Sequence, residues 1–340
     1  MESGANQVPG AFSGGVVSGA DGESGEDRLC FCGKSQDCFQ LQTAAKIFAF
    51  FSVSQVEIAR LVLKLLKIEP DYTIAIDRTE WQLGSQWVNV LVLSVTYGSV
   101  SIPLFWTVTN EKGCSDNAER QAILQKFIDE FGAQSIRFVT ADREFCSKDW
   151  LKFLIANKIP YRLIIKANYQ ITNARGQLIR ASRLCRTLKI GERLELHGTR
   201  RLWEQRVFVA VCRKADGDQV LVIASEPSGR ILLEYGERWK IETLFGILKT
   251  RGFRLEDTHL TETERIVKLL ALLTIAVSWA MPAGELQMQA QPLKSKKHGR
   301  LEKSIFRLGF ETLRNCFCQL TTNFRQKQRF QQLTLLLSCI

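Results

Sequence analysis

Two short apolar runs in this chain end alike: Tyr72-Thr-Ile-Ala-Ile-Asp77-Arg78 and Ser135-Ile-Arg-Phe-Val-Thr-Ala-Asp142-Arg143. Runs this short and this apolar read as buried strands that deliver an acid at their C-terminal tips. A strand-tip aspartate has two ordinary uses, capping a helix or forming a turn. Two of them on similar strands restrict the fold further, because both tips can lie at one edge of one sheet.

The surrounding segments set the order of elements. Trp87–Tyr97, the turn Gly98-Ser99 and Val100–Val108 read as a hairpin. A helix is expected at about 116–131, with Ala118, Ala122, Ile123, Phe127, Ile128 and Phe131 facing inward. The Asp142 strand follows, then a helix near 147–157 and a strand at 161–166. Three antiparallel strands, helix, strand, helix, strand is the order of a ribonuclease-H-like α/β fold, a mixed sheet flanked by helices. In that order the first and fourth strands can be neighbours, and Asp77 and Asp142 with them.

Tyr235–Lys249 reads as one helix. On a regular helix Tyr235, Arg238, Glu242 and Lys249 fall within roughly 60° of one another. Trp239, Ile241, Leu244, Ile247 and Leu248 lie on the other faces, where they can pack. The pair Arg238–Glu242 also suits an ordinary i, i+4 ion pair. Together with Asp77 and Asp142, however, Glu242 makes a set of three carboxylates from separate elements. Such a set repels itself unless divalent cations lie between its members. Oxygen donors alone suit Mg²⁺ or Mn²⁺ rather than Zn²⁺.

These residues resemble the DDE transposases of bacterial insertion sequences, in the branch numbered four, whose signature is Y-x2-R-x3-E-x6-K. Tyr235, Arg238, Glu242 and Lys249 match it without a gap, and Ala75–Trp81 and Thr140–Phe145 are similar to the family's two Asp blocks. Phe245–Phe253 and Leu255–Leu260 look like its third block, and the resemblance covers roughly residues 40–315. It implies metal-dependent DNA cleavage and strand transfer, the chemistry of cut-and-paste DNA transposition. Asp77, Asp142 and Glu242 would be the catalytic and metal-binding triad, holding two Mg²⁺ or Mn²⁺ ions. Tyr235, Arg238 and Lys249 would bind DNA phosphates. The partners implied are double-stranded DNA, as element ends and target, and further copies of the chain in a homo-oligomer on that DNA.

The resemblance also divides the chain. Residues 1–38 are an atypical, Gly- and Ser-rich segment, and 39–70 a remnant of the helical N-terminal region that recognises terminal repeats in relatives. The catalytic core would occupy 71–167 and 230–285, separated by a β-rich insertion at 168–229 that precedes the last catalytic helix. In that insertion Trp203 has two readings, a ring that stacks on an extruded DNA base or one that packs on its own sheet. Residues 286–340 form a basic tail, with ten Lys or Arg against two acids.

Charge and composition bear on the alternatives. The formal net charge is +11, and the run Lys294–Arg300 is its densest part, either a solvated face or a phosphate-tracking patch. Cys30, Cys32 and Cys38 cluster without the further ligands a zinc site needs, as do Cys316 and Cys318. The start of the chain carries no signal peptide, so a cytoplasmic, nucleoid-associated protein is expected. The uncharged run Leu269–Gly284, interrupted by Pro282, reads as a buried core helix rather than a membrane span, opened by a Thr261/Glu264 capping box. Two alternatives to the transposase remain: a catalytically silent DNA-binding relic of a transposase with defective end recognition, and a nuclease of the same fold acting on RNA–DNA hybrids.

Overall fold

The apolar runs pair with one another. In the computed structural model, which describes residues 54–110, 116–296, 299 and 301–319, β1 (Tyr72–Leu83), β2 (Gln86–Tyr97) and β3 (Val100–Thr109) form an antiparallel meander. Tyr97 pairs with Val100, so Gly98-Ser99 is a two-residue turn, and Gly98 takes the positive φ of 49° that such a turn favours. Ile74, Ala75 and Ile76 are fully buried, which is why this stretch of β1 shows no polar alternation. The expectations for residues 1–38, for Cys30, Cys32, Cys38 and the side chain of Cys318, and for residues 320–340 lie outside what is described. So do those for 39–53 and for Lys297, His298 and Arg300.

β4 (Ile136–Ala141) and β5 (Tyr161–Ile164) extend the sheet parallel to β1, reached through helices on its face. The sheet is therefore ribonuclease-H-like in order, β3-β2-β1-β4-β5. It does not stop there. β11 (Gln219–Ala224) pairs antiparallel with β5 and is followed by β10 (Gln205–Arg213), β9 (Arg200–Leu202), β6 (Gln170–Thr172) and β7 (Leu178–Arg180). β8 (Arg193–Glu195) also pairs with β10. The strands of the insertion thus continue the main sheet.

The helices cover the sheet. α1 (Gln55–Leu65) turns Ala59 and Val62 inward and packs against β3. α2 (Asn117–Phe131) opens on a capping box between Asp116 and Glu119. Its buried face is Arg120, Ile123, Leu124 and Phe127, while Ala118 and Ala122 are exposed, contrary to the periodicity reading. The phase is set by aromatic contacts, with Phe127 meeting Tyr72 edge-on at 5.8 Å and Phe105 at 6.4 Å. α3 (Lys148–Ala156) is capped by the Ser147 hydroxyl, which accepts from the Trp150 N–H at 3.2 Å.

Three short elements, α4 (Ile231–Gly236), α5 (Trp239–Gly246) and a π turn (Ile247–Arg251), precede the long helix α6 (Thr263–Ala290). α6 begins at Thr263 with Glu262 as an extended N-cap and no side-chain cap, so the Thr261/Glu264 box does not form. Instead the Thr261 carbonyl accepts from Asn110. The helix runs through Pro282 to Ala290. It is long and apolar enough to cross a membrane, but 56% of its most apolar window is buried, and it packs against α1, β3 and α7 (Ile305–Gln319). The two helices approach through glycines: a Cβ on Gly309 would overlap the Ala280 carbonyl, and one on Gly284 the Ile305 carbonyl.

Candidate active site

Pairing between β1 and β4 ends at Ile76 and Ala141, and the next residues are Asp77 and Asp142. The register of two parallel neighbours therefore sets the aspartates side by side. Asp142 is a strand tip, in extended backbone before a 3₁₀ turn at Arg143–Phe145. Asp77 is not: β1 continues to Leu83, paired only with β2, where Asp77 faces Val92. Asp77 sits where the strand loses one of its two neighbours.

The loop after Asp142 is clamped from three sides. Arg78 forks onto Glu144 through Nε at 3.3 Å and Nη2 at 3.4 Å. Arg120, buried in the first turn of α2, donates to the Glu144 carbonyl at 3.1 Å and lies over the Phe145 ring. Tyr169 donates its hydroxyl to the Cys146 carbonyl at 3.1 Å. Arg78 thus ties the two Asp segments together, a role the repeated Asp-Arg sequence did not reveal. The signal available was Glu144, two residues beyond Asp142.

Tyr235–Lys249 is not one uniform helix. Between α4 and α5 the chain tightens into i→i+3 bonds, Arg238 N–H to the Tyr235 carbonyl at 3.1 Å and Ile241 N–H to the Arg238 carbonyl at 3.0 Å. Ile241 and Leu244 are buried, and α5 packs against β1, β2 and β3. Arg238 lies at the junction, only 8% exposed. Its Nη2 is 2.7 Å from Glu242 Oε1, its Nη1 is 3.6 Å from Asp77 Oδ2, and its Nε donates to the Tyr235 hydroxyl at 3.1 Å. One guanidinium gathers three of the residues that the sequence nominated.

Lys249 and Trp203 stand apart from that cluster. The π turn carries the Lys249 ammonium to the Glu80 carbonyl, 3.4 Å from Glu256 Oε1 and 5.6 Å from the Trp81 ring centre. Trp203 occupies the β9–β10 turn at φ 48°, followed by Glu204 at 70°, both unusual for residues with a Cβ. Its half-buried ring lies 5.1 Å from that of Tyr169. Trp239, expected to pack, is 64% exposed, with the Arg238 guanidinium 5.9 Å from its ring centre. α4, which carries Tyr235, is pinned to the sheet by Arg162. That side chain is 2% exposed and is held by Glu234 and, at 3.5 Å, by Glu226.

The electrostatics of the site centre on Asp77. Burial pushes its carboxyl up to about 7, against the Arg78 N–H and the Arg238 guanidinium, while Asp142 and Glu144 add repulsion. This is an anionic group short of positive charge. Burial likewise pushes the Tyr235 phenol up to about 12. The all-oxygen donors Asp77, Asp142 and Glu242 and that charge deficit fit a hard divalent cation. As the side chains stand, Arg238 supplies the positive charge. Among the described residues no three His, Cys, Asp or Glu side chains are gathered closely enough to hold one ion.

A family model described as the transposase DDE domain matches residues 69–279. The chain has no match among curated proteins. Among solved structures it is similar to a piggyBac transposase synaptic complex with hairpin DNA, at 10% identity and a TM-score of 0.41, covering 78% of this chain and 57% of that one. It is also similar to an endonuclease V from Ciona intestinalis in complex with inosine-containing DNA, at 10% identity and a TM-score of 0.27, covering 56% and 83%. A large terminase from a thermophilic bacteriophage matches at 16% identity and a TM-score of 0.20, over 29% and 24%.

Proposed function

Since the chain belongs to the transposase DDE-domain family, we propose that it cuts DNA strands and joins a cut end to a second duplex, as the transposase of an insertion sequence in the branch numbered four. What supports this reading most is the register that sets Asp77 beside Asp142, with Arg238 linking Asp77 to Glu242. In this reading Asp77, Asp142 and Glu242 would hold two Mg²⁺ or Mn²⁺ ions, which would activate a water or a 3′ hydroxyl and relieve charge on the leaving oxygen.

The remaining tasks fall to the chain itself. Arg238, already forked between carboxylates, offers the same planar donors to a phosphate beside them. Tyr235 accepts from Arg238, burial raises its phenol, and in this reading its hydroxyl donates to a phosphate. Lys249 adds a point charge at the edge of β1. Trp203, held in a tight turn, and Trp239, exposed beside Arg238, present ring faces on which an unpaired base can stack. Several copies assemble on the DNA in this reading.

Nicking of a supercoiled plasmid in Mn²⁺ tests the proposal, with wild type beside Glu242→Ala. Nicking by the wild type that the substitution abolishes is expected. Equal nicking by both, or none by either, contradicts the DNA-cutting reading for this chain.

A further inference from the structure

The insertion carries a feature that the candidate site does not use. Arg180, Arg183, Arg186 and Lys189 recur at intervals of three. Residues Ala181–Cys185 form a 3₁₀ helix, with Arg180 and Arg186 as its caps. At three residues per turn, positions 183 and 186 fall on one line, about 6 Å apart, and Arg180 leads into it from the extended end of β7. The other side of the turn is the anchor: Ala181 and Cys185 are fully buried and Leu188 nearly so.

The platform is fixed by its backbone. Ala181 N–H donates to the Tyr169 carbonyl at 2.8 Å and Ser182 N–H to the Ala167 carbonyl at 2.9 Å. Leu188 N–H donates to the Cys185 carbonyl at 3.1 Å, and Arg213 closes the end by donating to the Leu188 carbonyl at 3.3 Å. The four cations are exposed, and among the described residues none of them forms an ion pair. From 175 to 201 there are eight Lys or Arg and two acids, Glu192 and Glu195. Both acids are engaged by backbone: Glu192 accepts from Lys189 N–H, and Glu195 from the N–H groups of Gly229 and Ile231. Neither acid forms an ion pair with the row, whose four cations outnumber them.

Evenly spaced guanidiniums on a rigid turn repel one another unless a regular polyanion lies along them. The row is also joined to the candidate site. Tyr169, which anchors Ala181, packs on Trp203 and holds the Cys146 carbonyl, four residues beyond Asp142. We propose that Arg180, Arg183 and Arg186, extended by Lys189, dock the sugar–phosphate backbone of duplex DNA next to the candidate active site, without regard to sequence. The proposal rests on the DNA-cutting reading above.

The test is fluorescence anisotropy with the full chain and a duplex of arbitrary sequence over a range of salt. Substituting Arg180→Gln, Arg183→Gln and Arg186→Gln together should lower the slope of log affinity against log salt by about 2 to 3 and weaken binding by more than about tenfold near 0.1 M salt. The Arg→Lys triple should retain the slope. In the unmodified protein, the duplex should protect these three arginines from phenylglyoxal. An unchanged slope and affinity in the Gln triple overturns the proposal, as does an equal loss in a control triple of exposed lysines (Lys64→Gln, Lys67→Gln, Lys152→Gln). So does a Gln triple that keeps duplex binding and loses only binding to single-stranded RNA. Wild type that binds no duplex at any salt overturns both this proposal and the DNA-cutting reading; wild type that binds, beside an unchanged Gln triple, overturns the docking row alone.

Discussion

Arg238 stands 3.6 Å from Asp77 across the junction of helix and sheet, and it carries Glu242 on the same guanidinium at 2.7 Å. Two carboxylates from distant parts of the chain are thereby held by one buried cation. Arg238→Ala removes that cation and, in the proposed reading, a phosphate fork with it. Plasmid nicking is expected to fall about a hundredfold, the cost of losing a charge-stabilising donor in a water-poor site. Arg238→Lys should recover little of it, because an ammonium cannot fork. Full activity in Arg238→Ala would mean that the arginine is only a helix ion pair.

Asp77 makes stability depend on pH. Its folded carboxyl is raised to about 7 from the ordinary range near 4. A raised acid binds its proton more tightly in the folded state, so its contribution is fully present below about pH 4 and is lost as pH rises through about 7. Urea unfolding in EDTA should show wild type losing stability between about pH 4 and 7. Asp77→Asn should flatten that loss, gaining up to about 4 kcal/mol over wild type at pH 8. Parallel pH profiles for the two proteins would contradict this.

Glu234 works in the opposite sense. Burial favours its protonated form, but the hydrogen bonds from Arg162 and Ser228 outweigh burial and hold the carboxyl below the ordinary range. Its stabilisation is present above the ordinary carboxylate range and is lost as pH falls through the lowered value. Glu234→Ala leaves Arg162, 2% exposed, with the more distant Glu226 as its one acid partner among the described residues. A loss of about 3 to 5 kcal/mol is expected in chemical denaturation at pH 7, with a displaced α4 and weakened DNA binding through Tyr235.

Gly309 lies against the Ala280 carbonyl with no room for a side chain. Gly309→Ala should cost about 1 to 3 kcal/mol by overpacking, although alanine is the better helix former. A thermal melt equal to or above that of wild type would show that α6 and α7 can separate without penalty.

Much of the architecture was legible because buried strands write themselves as apolar runs. Ile74–Ile76, the Gly98 turn and the alternation of strands and helices gave the sheet order, and that order put Asp77 next to Asp142. What periodicity could not carry was set by tertiary contacts. The tightening at Glu237–Arg238 and the π turn at Ile247–Arg251 leave no mark on a 3.6-residue pattern, so Lys249 was expected on the stripe and lies instead at the Glu80 carbonyl. Trp239 looked like a packing residue by type alone and is exposed. Arg120 and Arg162 are buried, each meeting a carbonyl or carboxylate inside, and nothing in the apolar periodicity marks them. The joining of the insertion to the main sheet depends on β11 meeting β5, a pairing between strands far apart along the chain.

The central claim is that Asp77, Asp142 and Glu242 act as one site, and Mn²⁺ binding tests it most directly. Electron paramagnetic resonance would follow free Mn²⁺ as wild type, Asp77→Ala, Asp142→Ala and Glu242→Ala are titrated with a short duplex present. The account predicts binding by wild type and a loss of at least about tenfold in each variant. Equal Mn²⁺ affinity in wild type and all three variants would contradict it.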